Sequence, residues 1–328
     1  MSLKKQILSF VLVIALFAIL NFSMYILFTS RLSNNFSSAT QAQMIDVRSY
    51  LPHNENSDLP EITASLKLTD NLPVLDGAAA LVPVYAAVID NVYPEGCVTF
   101  EGGEFSDDNY YGENFAPDSA MQYKNTVRGY QAIVDGTTDI LFCAGPSAEQ
   151  KQYAADKGVE LVYVPVGLEG FVFFVNENNP VDSLTTEQIR KIYSGEYKNW
   201  ADVGGRYRVI NPITRLKGSG SQTMFEAFMG DYKVGKKSLL AITGGSIGFS
   251  FRYYMDGIVE NDSVKMLSVN GVYPSAENIQ NKSYPITTQF YAIYRADNDN
   301  ENIPLLIDWL LSDEGQTLIE ECGYVRVK

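Results

Sequence analysis

From Gln6 to Ser30 the chain carries no charged residue, and Ile7–Phe28 is almost entirely Ile, Leu, Val, Phe, Ala and Met. A helix rises about 1.5 Å per residue, so such a run reaches across the roughly 30 Å hydrocarbon layer of a bilayer. Lys4 and Lys5 precede it, and basic flanks stay on the cytoplasmic side, which sends the remainder outside. A cleaved signal peptide has an apolar region of about 7–15 residues ending at small residues. Here the run is longer, and the nearest small-x-small sequence, Ser37-Ser38-Ala39, lies well beyond it. We therefore expect residues 1–30 to form an uncleaved anchor in the cell membrane with the domain on the extracellular side. A cleaved signal segment is the alternative.

The charge balance then limits what the exported part can meet. The chain has 25 Lys and Arg against 39 Asp and Glu, a net charge of −14, and Lys4, Lys5 and Arg31 all flank the apolar run. An acidic exported part excludes a nucleic-acid partner, because phosphate-backbone binding leans on clustered Lys and Arg. His53 is the only histidine, which removes most Ser-His, Cys-His and His-metal chemistry. With no coherent acid–base set, we expect no enzyme, no cofactor and no metal site. Cys97, Cys143 and Cys322 are widely spaced. They fit small buried hydrophobes, or one disulfide with a thiol left over, and spacing does not choose the pair.

Residues 31–65 are rich in Ser, Asn, Gln and Asp, with Pro52 and Pro60, and predict a polar stalk. From about Leu72 short apolar runs alternate with amphipathic segments, the pattern of an α/β fold. Ile140–Cys143, Leu161–Val164 and Gly170–Val175 predict buried strands, and Ile247–Phe251 is a further candidate. Helices are expected near Asn125–Asp135 and Ser147–Lys157, and over Thr186–Tyr193. For the last of these, Thr185 and Gln188 form a capping-box pattern and Gly195 supplies the stop. Ile303–Glu321 predicts one helix ended by Gly323, preceded by a polar loop at Asp297–Asn302.

The stretch Thr214–Phe225 carries the most chemistry. Two glycines, Gly218 and Gly220, let the backbone curl close to a ligand, and Ser219 and Ser221 offer hydroxyls. The helix expected over Gln222–Met229 would aim its open N–H groups and positive dipole end at the same spot. Such a site holds an anion with little mobile charge, and Arg215 would close it with a two-pronged contact. A plain Ser/Gly loop capping a helix through Thr223 and Glu226 is the other reading of these residues.

Other segments, in order along residues 72–328, carry a resemblance. They are Asn176–Val181, Leu184-Thr185, Ile192–Gly195, Asn199-Trp200, Tyr284–Thr288, Asp308–Gln316 and Gly323–Val325. Together they resemble the phosphate-type substrate-binding proteins of ABC importers, of the periplasmic-binding-protein-like type II fold. The resemblance implies two α/β lobes, each a mixed sheet flanked by helices, with the ligand between them. The first lobe would hold 66–166 plus 284–328 and the second 167–283, with crossings near Pro165–Gly170 and Tyr284–Thr288.

It also implies a ligand set. Arg215, Ser219, Gly220, Ser221 and Gln222 match the second-lobe motif, and Asp76, Gly77, Ala78 and Ala79 match the first-lobe loop. Asn125 and Thr126 stand where a ligand loop opens a helix. Ala78 and Ala79 replace the usual hydroxyl residues, so that loop would offer only backbone N–H groups. Ala144 stands near the place where some phosphate binders carry an Asp, so either the site discriminates poorly among oxyanions or Asp76 takes that role. The implied function is capture of a small oxyanion, phosphate foremost, by a monomeric receptor docking on an ABC permease. A membrane-anchored sensor or interaction module on the same fold is the alternative.

Two decoys are set aside. Gly230–Lys237 nearly spells a P-loop but lacks Ser or Thr after the lysine, and Asp107-Asp108 fits a solvated surface pair.

Overall fold

The computed structural model describes residues 3–40, 45–102, 115–215, 217–235, 244–259 and 262–327. Asp107-Asp108 and the lysines ending the near P-loop lie outside these residues. Helix α1 spans Leu3–Thr40. Its stretch Lys4–Tyr25 is long and apolar enough to cross a membrane, and none of it is buried against the rest of the chain.

The expected stalk is different in two ways. The helix runs on through Thr40, and 45–65 is packed onto the folded body instead of standing clear of it. Ile45, Val47, Ala64 and the adjoining Leu68 are buried in the main core. Ile45 N–H donates to the Tyr123 hydroxyl at 2.8 Å. The Asn91 side chain donates to the Pro60 carbonyl at 2.9 Å and accepts from Ile62 N–H at 2.7 Å. The polar composition hid these anchors, because sparse apolar residues and backbone groups do the packing.

The body is built on a mixed sheet. Its strands are β1 (Leu75–Gly77), β2 (Ile140–Ala144), β3 (Leu161–Asn176), β5 (Ile210–Pro212), β6 (Gly245–Phe251), β7 (Val264–Met266) and β9 (Thr287–Arg295). The order is β1-β2-β9-β3-β6-β5, with β7 also on β3. β4 (Ser183–Leu184) and β8 (Ser268–Val269) form a separate parallel pair. The two apolar runs expected as separate strands around Pro165 are one strand, β3. Pro165 has no N–H to give, and the register shift between Pro165 and Gly167 absorbs it. Leu161–Gly170 pairs with β9, and Phe171–Asn176 pairs with β6 and β7.

Side chains alternate across the strands and so feed different cores. On β2, Ile140 and Phe142 enter the main core, while Leu141 and Cys143 enter a smaller one. Helices α2 (Val82–Val92), α8 (Asn302–Leu310) and α9 (Asp313–Glu321) supply the main core, and α3 (Asn125–Asp135) and α4 (Ala148–Asp156) the smaller one. The far end of β3 packs Phe171 and Phe173 into a third core. There α5 (Thr186–Ser194) brings Tyr193 and α6 (Gly220–Met229) brings Phe225, which stacks on Phe249 at 4.3 Å. Thr185 and Ser147 cap α5 and α4 with complete capping boxes. The helix expected over 303–321 is broken in two, because Ser312 accepts from Gly315 N–H and starts α9 afresh.

All three cysteine thiols are free, with Cys143 and Cys322 buried. Burial pushes the Cys97 thiol up to about 11 and the Cys143 thiol up to about 12.

Removing the Asn91 side chain leaves the Pro60 carbonyl and the Ile62 N–H without partners. Asn91→Ala should therefore lower the unfolding free energy by about 2 kcal/mol. Urea denaturation checks this, and an unchanged midpoint would mean the 60–62 segment is not pinned there.

Candidate functional site

The first wall of the site begins at the end of β1. A Cβ on Gly77 would stand 2.6 Å from the Tyr85 ring and 2.7 Å from the Phe142 carbonyl, so only glycine fits. Asp76, fully buried beside it, accepts from Gly77 N–H at 2.7 Å and Lys124 N–H at 2.9 Å. Its other oxygen meets the Thr138 hydroxyl at 3.4 Å and the Lys124 ammonium at 3.5 Å. Burial raises the Asp76 pKa and the Lys124 charge opposes the rise. This carboxylate ties β1 to the start of α3 and does not line the cavity. The role of ligand acceptor expected for it is therefore corrected: its oxygens are taken up by the scaffold.

The loop after β1 holds its own N–H groups. Ala78 N–H donates to the Phe142 carbonyl at 2.8 Å, and Ala79 N–H to Asn125 Oδ1 at 3.4 Å. Leu81 N–H donates to the Ala78 carbonyl at 2.8 Å. Asn125, in the left-handed region at φ 60°, also accepts from Thr126 N–H at 2.7 Å. The donors expected from Ala78 and Ala79 are thus spent inside the loop.

The second wall is the turn from β5 into α6. Ser219 caps α6 by accepting from Gln222 N–H at 3.3 Å, so the cap is Ser219 and not Thr223. The N–H groups of Gly220 and Ser221 stand at the helix mouth, where no earlier turn can satisfy them. Gln222 lies behind the wall. Its side-chain oxygen accepts from Arg215 N–H at 3.0 Å and its amide donates to Glu226 at 3.0 Å. Arg215 is half-buried with its Nε shielded from solvent, and its guanidinium reaches the Ser221 and Ser250 hydroxyls at 3.4 Å each, with the Tyr254 ring 5.9 Å away. Burial lowers its pKa and Tyr254 opposes the shift. Arginine keeps its charge all the same.

The two walls meet. A Cβ on Gly220 would lie 3.6 Å from the Ala144 Cβ and 3.9 Å from the Thr126 hydroxyl. Between them is a cavity of about 60 Å³ lined by Ala78, Ala79, Asn125, Thr126, Arg215, Ser219, Gly220 and Ser221. Of the expected set, Asp76, Gly77 and Gln222 stand outside it. Contacts also cross the rim: Gln150 donates to the Gly218 carbonyl at 3.3 Å, and Lys217 pairs with Glu149 at 2.7 Å.

Several wall residues were not foreseen, among them Glu169, Ser250, Phe290 and Tyr324. Glu169 sits on β3 opposite Thr288 and is buried. It accepts from Gly170 N–H at 2.8 Å and Tyr253 N–H at 3.3 Å, with Arg252 3.5 Å away. Desolvation pushes its carboxyl up to about 7, against the pull of the Arg252 charge. A charged residue inside the apolar run 166–175 was the available signal, since buried carboxylates are rare without a purpose.

This geometry can hold a small anion by hydrogen bonds and the Arg215 charge. Residues 108–314 match the family described as PBP superfamily domain. The phosphate-binding protein PstS of Bacillus subtilis is 27% identical over 236 residues, 67% of this chain and 75% of that protein. The phosphate-binding protein PstS of Staphylococcus epidermidis is 29% identical over 220 residues, 61% of this chain and 67% of that protein. A solved structure of a putative phosphate ABC transporter substrate-binding protein from Clostridium perfringens superposes with a TM-score of 0.57 at 24% identity. It covers 80% of this chain and 100% of that one. An ABC-type phosphate transport receptor from Vibrio cholerae gives 0.51 at 21% identity, covering 79% and 99%. The family match takes in more than half the chain and the two-lobed mixed α/β architecture agrees with it: the chain belongs to the PBP superfamily.

Proposed function

We propose that this chain is the extracellular solute-binding component of an ABC importer, capturing a small oxyanion, phosphate foremost, between two lobes. One observation carries the reading: the mouth of α6, the half-buried Arg215 and the loop 78–81 converge on one small cavity. The phosphate-binding relatives support the choice of ligand class. In this reading 66–166 with 284–328 forms one lobe and 167–283 the other, hinged where β3 and β9 run between them. The apolar helix tethers the domain to the membrane beside its permease. The work is capture and delivery, with no bond made or broken. A cavity that expels water makes each N–H···O⁻ contact worth more than in bulk solvent.

Arg215→Ala should weaken inorganic phosphate binding by at least ~2 kcal/mol, roughly thirtyfold, as expected when a buried charged hydrogen bond is removed. Isothermal titration of the full chain in detergent measures this. Unchanged affinity would take Arg215 out of the site.

Glu169 gives a second test through pH. Its carboxyl is raised from the ordinary 4.5 to about 7, so the folded protein binds this proton more tightly than the unfolded chain. The contribution is complete below about pH 4.5 and is lost as pH rises through about 7, amounting to at most about 3 kcal/mol. Glu169→Gln cannot titrate. The wild-type Tm should therefore fall relative to this variant between pH 5 and pH 8, and a constant difference across that range would place the carboxyl at its ordinary value.

A further inference from the structure

Arg215 reaches the cavity on a long stem, and a loose stem loses rotamer freedom when an anion fixes it. What the guanidinium rests on therefore bears on affinity. β5 and β6 run parallel with Pro212 opposite Ile247. Three residues further along each, Arg215 comes beside Ser250, and the guanidinium meets that hydroxyl at 3.4 Å. The chain leaves β6 at Phe251 and passes into a π-helical turn, Tyr254–Val259. That turn sets the Tyr254 ring beneath the guanidinium, 5.9 Å from the Arg215 Cζ to the ring centre. Ser221 meets the same group from α6 at 3.4 Å.

The ring is itself held in place. Tyr254 is buried and joins the main core together with Met255 and the residues of α2, while it also lines the cavity beside Arg215, Ser221 and Ser250. A group that orients another must be fixed by its own packing, and this one is. A planar ring suits a planar, weakly hydrated guanidinium, and their attraction grows as both leave water. The ring also carries no net charge, so it orients the guanidinium without neutralising it as a carboxylate would. We infer that Tyr254 is a positioning residue of the anion site, its ring holding the Arg215 guanidinium in the orientation that meets the ligand. This rests on the oxyanion-capture reading and adds to it a residue that acts through Arg215.

The test is a cycle of variants of the full chain in detergent, titrated calorimetrically with inorganic phosphate. Tyr254→Met removes the ring and leaves an apolar filler in the main core. It should weaken binding about tenfold, the scale of a desolvated cation–π contact, and Tyr254→Phe should bind within about threefold of wild type. In an Arg215→Ala background, Tyr254→Met should change affinity by less than about twofold, since no guanidinium is left to position. The rise in Tm with added phosphate reads the weakest binders and shows that each variant is folded. Tyr254→Leu repeats the comparison if methionine does not fill the core. A ringless variant that binds as wild type overturns this inference, as does one that loses as much without Arg215 as with it. Tyr254→Phe as weak as Tyr254→Met overturns it too, by moving the role to the hydroxyl. Wild-type protein that does not bind phosphate overturns the oxyanion reading as well.

Discussion

The continuity of β3 governs the rest of the molecule. A strand must place its backbone N–H and C=O groups on neighbours, and β3 changes neighbours between Gly170 and Phe171, from β9 to β6 and β7. One backbone therefore carries the pairing of both halves. Their facing edges cannot drift apart, and the loops that leave β1 and β5 are brought to the same gap. Glu169 stands at that handover, its carboxylate bonded to Gly170 on its own strand and to Tyr253 at the exit of β6. Arg252 beside it donates to the Gly323 carbonyl, so the end of β6 is also tied to the C-terminal segment. The crossing of the chain at β3 is thus a hydrogen-bonded junction as well.

Electrostatics explains why the site is built mainly from dipoles. A chain of net charge −14 repels anions at long range, and salt screens that repulsion beyond about 8 Å. Attraction in the proposed reading must then be short-ranged, and the mouth of α6 with one half-buried guanidinium supplies it at little cost in mobile charge. The buried Asp76 belongs to the same scheme from behind. By holding Lys124 and the Gly77 and Lys124 N–H groups it shapes the first wall, and the fully desolvated carboxylate stays close to its own ammonium.

What could be seen in the sequence was whatever is local. Thr185 with Gln188 and the Gly195 stop are decided within a turn or two, and α5 begins and ends where they place it. The cluster from Arg215 to Ser221 was visible for the same reason, since one turn and one helix start hold all of it. Long-range contributions were not visible. Ser250 comes from the neighbouring strand and Tyr324 from the C-terminal segment, and no spacing announces that they share a wall with Arg215. Asp76 was misjudged because sequence does not say on which side of the backbone a carboxylate lies. The break at Ser312 was hidden inside an amphipathic pattern that two short helices satisfy as well as one long helix.

The rim contacts show what an anion adds. Lys217 and Glu149 are largely exposed, and an exposed ion pair is worth no more than about 1 kcal/mol. Gln150 bonding to Gly218 adds one neutral hydrogen bond. Such contacts tie the rims of the two walls only weakly. Ser221, Ser250 and Tyr254 meet the Arg215 guanidinium as neutral groups, and in the proposed reading a bound oxyanion adds a negative charge beside it. In the proposed reading that charge lies between α6 and the loop 78–81, and a ligand touching both walls favours the arrangement in which they face each other by its difference in affinity for that arrangement over any other.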